Sequence, residues 1–206
     1  MGSEHQEIED AYQRDVAADL LARLPDPVLA YLEKVYGLQQ LLGCGMWACA
    51  WRTKKGTVLK LTNDRRDAYN AYWLLKHGAA YHKVLAQVYQ VRVITLSPED
   101  RIFLIESEWL RTLTKKQQDL IEVETSDVFD WDWRTNERGK IQVSGSEKPR
   151  LSRLSRKYLT LQHRLQAIEA ETGLRLQEDA FPHNLGFRAD GRLVLYDFGS
   201  GSLEGP

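Results

Sequence analysis

The stretch that decides the fold is Asp179-Ala-Phe-Pro-His-Asn184, followed thirteen residues after the asparagine by Asp197-Phe-Gly199. Between these motifs, residues 185–188 and 193–196 flank Ala189-Asp190-Gly191, which is typical of a hairpin turn. An acid, an amide five positions later and a second acid entering a Phe-Gly turn can together hold a hydroxyl, metal ions and a triphosphate. This pattern indicates phosphoryl transfer more directly than any other part of the chain.

Length and composition limit the class of protein. The 206 residues carry a net charge of −1 and are 43% apolar, which suits one large domain or two small lobes. This charge balance argues against nucleic-acid and membrane partners. No apolar run reaches the roughly 18 residues of a membrane span, and the N-terminus does not resemble a signal peptide. Cys44 and Cys49 predict neither a disulfide framework nor a zinc site, so we expect a cytoplasmic protein in a reducing environment.

The periodicity of apolar residues predicts helices and strands along the rest of the chain. Helices are predicted over residues 5–24, 28–36, 64–77 and 151–172. Strands are predicted over residues 38–42, 48–53, 57–61, 88–96 and 101–106. The polar residues 123–150 are expected to form an exposed loop or a small hairpin.

Two features upstream of the hairpin could contribute to a phosphate site. Gly43 and Gly45 join two predicted strands and would let backbone amides approach phosphate oxygens, although an ordinary glycine turn is the alternative. Lys60 lies between apolar residues on a predicted strand, so it either faces solvent or needs an anionic partner. Phosphate oxygens and an acid on the following helix could be that partner, with Asp67 the first candidate and Asp64 the second.

Taken in order, these motifs resemble those of the protein-kinase-like superfamily, which includes protein kinases and aminoglycoside phosphotransferases. The resemblance covers about residues 38–200. It matches Gly43 and Gly45 to the glycine-rich loop, with Ala48 in place of the third glycine, Lys60 to the β3 lysine and Asp67 to the region of the αC glutamate. It matches residues 105–110, including Glu106 and Glu108, to the hinge that holds adenine. It matches Asp179 to the catalytic aspartate, and Asn184 and Asp197 to the metal ligands.

The resemblance implies an α+β, bilobal, protein-kinase-like fold. Residues 37–110 would form a small lobe with an antiparallel sheet and a hinge, and residues 111–206 a reduced helical lobe with a catalytic hairpin. Residues 1–36 would be a helical extension. ATP and Mg²⁺ are the implied cofactors. The implied activity is transfer of the γ-phosphate to a hydroxyl of a protein or small molecule, as in a serine/threonine kinase, with Asp179 as catalytic base and Lys60 holding the α- and β-phosphates.

The sequence also departs from the family. Gln177-Glu178 stands where protein kinases have His-Arg, and only seven residues follow Gly199. We therefore expect a minimal form truncated after the Asp-Phe-Gly motif, without an activation segment or a peptide-docking platform. The N-terminal helices or a homodimer contact could cover the surface left bare. A nucleotide-binding pseudokinase that serves as an interaction module is one alternative function, and a structural protein with an accidental motif match is another.

Two groups of basic residues lie outside these motifs. The first is Lys115-Lys116, and the second comprises Lys148, Arg150, Arg153, Arg156 and Lys157. We expect both to be solvated faces. The second group is dense enough to leave an anionic substrate as an alternative.

Overall fold

The computed structural model describes residues 2–45, 47–126, 133–135, 141–143 and 151–197, with side chains described for residues 11–45, 47–126, 151–177 and 179–197. The chain divides into two compact units. The first, called here the sheet unit, comprises residues 1–79 and 87–109. The second, the helical unit, comprises residues 80–86 and 110–206.

The sheet unit contains a five-stranded antiparallel sheet in the order β1-β2-β3-β5-β4. Its strands are β1 (Leu38–Cys44), β2 (Ala48–Thr53), β3 (Thr57–Thr62), β4 (Val88–Thr95) and β5 (Arg101–Glu108). Its helices are α1 (Gly2–Ala22), α2 (Asp26–Val35) and α3 (Arg65–His77), which follows β3. These elements occur where the periodicity predicts them, apart from shifts of a few residues at their ends.

Alternating side chains on the strands give the sheet two different faces. Leu59 and Leu61 are fully buried on one face, with Ile102 and Leu104 of β5 beside them. This apolar face packs against α1, α2 and the residues that connect them, including the buried Leu32. The sheet offers these helices an apolar face that would otherwise be exposed to water. That the N-terminal helices could also cover a surface of the second lobe stays a prediction.

The helical unit contains two helices, α4 (Lys115–Thr125) and α5 (Arg153–Thr172), and a three-stranded sheet in the order β10-β9-β6. The strands are β6 (Arg111–Thr112), β9 (Leu185–Phe187) and β10 (Leu193–Leu195), and β9 and β10 form the predicted hairpin. Short 3-10 turns, Gln177–Asp179 and Pro182–Asn184, precede β9. Two further strands, β7 (Trp133–Thr135) and β8 (Ile141–Val143), pair as the small hairpin expected within residues 123–150.

The predicted fold class is confirmed: the chain is α+β, with a small antiparallel-sheet lobe and a helical lobe that carries a hairpin. Helix α4 was not predicted. It begins with a capping box: the side chain of Thr114 accepts from the backbone N–H of Gln117, and the side-chain oxygen of Gln117 accepts from the backbone N–H of Thr114. Over the described residues, none of the helices combines the length and the hydropathy that a bilayer crossing requires.

The structure joins Cys44 and Cys49 by a disulfide, which corrects the expectation drawn from their spacing. These residues face each other across the antiparallel pair of β1 and β2. Cys49 is 1% exposed and belongs to the core between the sheet and the helices. Sequence spacing alone missed the bond because the proximity of the two residues depends on strand register rather than on their separation in the chain.

We expect loss of this disulfide to lower the stability of the chain by up to about 2 kcal/mol, because the bond restricts a short loop in the unfolded state. The change is the double substitution Cys44→Ala/Cys49→Ala, measured by urea unfolding with and without dithiothreitol. Reductant should destabilise the wild type and leave the double variant unchanged. Free thiols titrated at both cysteines of the unreduced wild type would contradict the bond.

Candidate functional site

Lys60 forms an ion pair with Asp67 inside the sheet unit. The Lys60 Nζ lies 2.6 Å from Asp67 Oδ2, and the two side chains are 21% and 5% exposed. Lys60 belongs to β3, where its cross-strand neighbours are Ala50 and Ile105, and Asp67 lies in the first turn of α3. Because a cation between apolar neighbours needs an anionic partner, this pairing satisfies the requirement that the sequence posed. The prediction that Asp67 is an anionic partner of Lys60 is confirmed.

Asp64, the second candidate for this partner, serves a different purpose. Its side chain accepts a hydrogen bond of 2.9 Å from the backbone N–H of Arg66 and thereby caps α3. Its own N–H donates to the hydroxyl of Thr62 at the end of β3. The cap fixes where α3 begins, and that start places Asp67 within reach of Lys60.

The glycine loop is shorter than the sequence suggests. Gly43 lies within β1 and pairs with Ala50, so only residues 45–47 separate β1 from β2. The backbone N–H of Gly45 donates to the carbonyl oxygen of Ala48 at 2.8 Å. In this conformation the N–H of Gly45 is therefore occupied by a hydrogen bond within the turn.

Neither glycine is required by the packing of the protein itself. Among the described residues, a Cβ built on Gly45 would meet no atom within 4 Å, and one built on Gly43 would meet only Gln13 Oε1, at 3.6 Å. Neither residue has a positive φ. Gly186 differs, because a Cβ there would lie 2.7 Å from the Cβ of Leu110. The fold thus explains the glycine at 186 but not those at 43 and 45.

Glu106 and Glu108 lie within β5 rather than in a hinge beyond it. Glu106 pairs with Leu59 on one side and Gln90 on the other, and its carboxylate accepts from the hydroxyl of Thr57 at 3.0 Å. Since Ile105 pairs with Lys60, the neighbouring Glu106 points to the opposite face of the sheet. The carboxylate of Glu108 accepts from the backbone N–H of Gln87. The structure therefore does not bring the side chain of Glu106 to Lys60.

Asp179 and Asn184 are held together by a hydrogen bond across their loop. The amide nitrogen Nδ2 of Asn184 donates to the backbone oxygen of Asp179 at 2.9 Å. Asp179 itself is 1% exposed, at the end of the first 3-10 turn. Because Nδ2 is committed to this bond, the orientation of the amide is fixed and its oxygen is the atom left for a metal or a donor.

Two side chains of α5 position this loop, and the sequence analysis did not single them out. Gln162, which is 9% exposed, donates to the backbone oxygen of Ala180 at 3.0 Å and to the hydroxyl of Tyr158 at 2.8 Å. The carboxylate of Glu169 accepts from the backbone N–H groups of Leu176 and Gln177. A polar residue at a buried helical position, such as Gln162, is the sequence signal that could have identified this support.

The hairpin brings Asn184 and Asp197 to the same end of two paired strands. Leu185 pairs with Leu195, and the N–H of Tyr196 donates to the carbonyl oxygen of Asn184 at 3.0 Å. Asn184 immediately precedes β9, and Asp197 follows β10 by two residues. An amide oxygen and a carboxylate form a hard-oxygen donor set, which suits Mg²⁺.

In the parts of the chain that the structure describes, no three His, Cys, Asp or Glu side chains form a group that could hold a metal ion. A magnesium ion at the hairpin would take ligands from Asn184 and Asp197 and complete its shell with phosphate oxygens and water. Phe198 and Gly199 of the predicted Asp-Phe-Gly motif lie outside the described residues.

Comparison with known proteins finds distant structural similarity. No family model matches the sequence, and no curated protein matches it. Among solved structures, a MAP kinase from Leishmania major is similar to this chain with 15% identity and a TM-score of 0.43, over 84% of this chain and 49% of that kinase. The chain thus spans about half the length of that protein. This similarity does not establish a family, an activity or a substrate.

We expect Lys60→Met to destabilise the chain by about 3 kcal/mol, because it removes the ion-pair partner of a buried carboxylate. Asp67→Leu should cost less, about 1–2 kcal/mol, since the more exposed lysine retains access to water. The variant that carries both substitutions should lose less stability than the two single variants lose together, by about 1 kcal/mol or more. Urea unfolding of the wild type, the two single variants and the double variant measures this coupling energy between Lys60 and Asp67.

The exposed ion pair between Lys115 and Asp119 in α4 provides the control. The same cycle with Lys115→Met and Asp119→Leu should give a coupling of about 0.5 kcal/mol or less. Equal couplings in the two cycles would show that the pair at Lys60 is no more than a surface contact.

Proposed function

We propose that this chain is an ATP- and Mg²⁺-dependent phosphotransferase that acts on a hydroxyl group of a protein or small molecule. The observation that carries the proposal is the hydrogen bond from Asn184 to the Asp179 carbonyl, at the end of the hairpin that also bears Asp197. It orients one proposed metal donor, Asn184, and ties it to the loop of Asp179, the proposed catalytic base.

Four residues act on the substrates or the metal in this proposal, and a fifth, Asp67, positions one of them. Asp179 accepts or orients the proton of the acceptor hydroxyl. Asn184 and Asp197 provide the oxygen ligands for magnesium, which when bound would neutralise charge on the phosphates. Lys60 binds the α- and β-phosphates, and Asp67 holds its ammonium group in place. Positioning and charge neutralisation supply most of the catalysis in this class of reaction.

The two glycines of the β1–β2 turn also support a nucleotide site. A glycine inside a strand or turn costs stability relative to alanine unless the conformation requires it. Packing and backbone angles require neither Gly43 nor Gly45. Close approach of a ligand to the backbone is a physical reason for glycine at such positions, and a phosphate group is a ligand that binds in this way.

One observation favours a noncatalytic alternative, a nucleotide-binding pseudokinase that acts as an interaction module. Asp179 is 1% exposed, whereas a catalytic base must reach the hydroxyl of its substrate. In this alternative, Lys60, Asn184 and Asp197 would bind the nucleotide without transfer, and the buried Asp179 would support the loop.

We expect ATP with Mg²⁺ at about 100 times its dissociation constant to stabilise the chain by about 2.7 kcal/mol, which raises the melting temperature by roughly 5–10 °C. Asp197→Asn should weaken this shift, because it removes a charged metal ligand. Scanning fluorimetry with and without Mg²⁺ makes the measurement. Absence of any shift at millimolar ATP and Mg²⁺ would exclude both the phosphotransferase and the pseudokinase.

Transfer of labelled γ-phosphate to protein or water separates the two functions. Asp179→Asn, which keeps the shape of the side chain, should reduce transfer by about 100-fold or more while the thermal shift with ATP persists. The pseudokinase predicts a thermal shift without measurable transfer in either protein. Equal transfer by the wild type and the variant would show that Asp179 is not the base.

We expect Gly45→Ala to weaken ATP binding by roughly tenfold, equivalent to about 1.4 kcal/mol, because its methyl group would occupy space that a phosphate needs. The same change should leave unfolding stability unchanged or raise it by up to about 1 kcal/mol. Gly56 lies in the β2–β3 turn with φ +77° and is the matched control. Gly56→Ala should lower stability without changing the ATP dissociation constant. Unchanged ATP affinity in Gly45→Ala would remove the glycine turn from the site.

A further inference from the structure

The helical unit contains an open cavity of about 660 Å³, a size typical of small-molecule sites. One wall is a face of α5, a second is the turn of the β9–β10 hairpin, and a third is formed by Lys83 and Val84. The floor is apolar, because Val84, Leu161 and Leu193 line it and are buried. Arg153 and Arg156 are exposed, as the sequence led us to expect, and they border a concave surface with an apolar floor.

The rim of the cavity is strongly cationic. Six of its lining residues are basic and one is acidic: Lys83, Arg153, Arg156, Lys157, Arg164 and Arg192 against Asp190. The carboxylate of Asp190 is bound by Arg192, whose hydrogen bond lowers the pKa of that carboxyl. The Nζ of Lys157 donates to the backbone oxygen of Gly191 at 2.6 Å, a bond that leaves its charge uncompensated. Asp190 thus neutralises one of the six cations.

The fold does not explain this concentration of charge. Arg153, Arg156, Lys157 and Arg164 follow the helical spacing that places side chains on one face of α5. Like charges three and four positions apart destabilise a helix, and cations in its first turn oppose the helix dipole. The first turn of α5 has no acidic residue, and among the described residues Lys83, Arg156 and Arg164 form no ion pair. An anionic ligand would remove this repulsion.

We propose that the cavity binds a small compound with two or more phosphate groups. Four of the six cations are arginines, whose planar guanidinium groups match phosphate oxygens in a bidentate geometry. The apolar floor accommodates an organic scaffold. A concave site of this volume suits a compact ligand better than a polymer, which would require an extended basic surface.

This site is separate from the proposed magnesium ligands. Asp190, Gly191 and Arg192 lie at the turn of the hairpin, whereas Asn184 and Asp197 lie at its opposite end. Strands of three residues separate the two ends by roughly 10 Å. A ligand in the cavity therefore contacts residues that the proposed phosphotransfer does not use.

Calorimetric titration with inorganic tripolyphosphate tests the proposal without Mg²⁺ or ATP. We expect binding by the wild type that weakens as salt is added. Arg156→Gln/Arg164→Gln should weaken it by about tenfold or more, because two charge-assisted contacts are lost. Lys115→Gln/Lys116→Gln removes the same charge from α4 in the same unit, outside the cavity, and should change the dissociation constant by less than about twofold.

Other results would overturn the proposal. Absence of tripolyphosphate binding at millimolar concentration would do so. An equal loss of affinity in the two double variants would show that binding depends only on the net charge of the protein. Abolition of binding by Lys60→Ala would place the probe at the nucleotide site instead. Binding of a single-stranded RNA more tightly than tripolyphosphate, with the same dependence on Arg156 and Arg164, would identify an extended nucleic-acid surface rather than a small-ligand site.

Discussion

The alternation of side chains on β3 is the constraint on which the sheet unit depends. Leu59 and Leu61 point to one face and are excluded from water, so that face must be covered, and α1 and α2 cover it. The same alternation points Lys60 to the other face, among apolar neighbours. An ammonium group there needs an anion, and Asp67 of α3 provides one. One strand thus determines both the position of the helices and the presence of the ion pair.

In the helical unit, the register of the β9–β10 hairpin has the corresponding role. Because Leu185 pairs with Leu195, Asn184 and Asp197 are placed at one end and the Asp190 turn at the other. Register alone does not fix the loop before β9. Gln162 and the Asn184 amide do so by binding backbone oxygens of that loop. The chemistry proposed for the loop that carries Asp179 therefore also depends on Gln162, which lies in α5 and outside the sequence motif of residues 179–184.

The periodicity of apolar residues was enough to predict most helices and strands, and the acid at the start of the helix after β3 was enough to predict the pairing of Lys60 with Asp67. Helix α4 was missed because its apolar residues do not mark one buried face: Val123 is 75% exposed and Leu120 is 40% exposed. Its clearest signal was the cap formed by Thr114 and Gln117. Contacts between segments distant in sequence could not be predicted. The parallel bridge from Leu85 to Leu195, which places Lys83 beside the hairpin turn, depends on tertiary packing.

Helix α5 links the two proposed sites because its opposite sides serve different purposes. Its buried side supports the loop of Asp179 through Gln162, and its cationic side lines the cavity through Arg156 and Arg164. Repulsion among those cations lowers the stability of the helix. A polyanion that neutralised them would stabilise α5, and a ligand that stabilises a supporting element also favours the conformation that the element supports. Occupancy of the cavity would therefore be coupled to the order of the loop that carries Asp179, without any direct contact between ligand and loop.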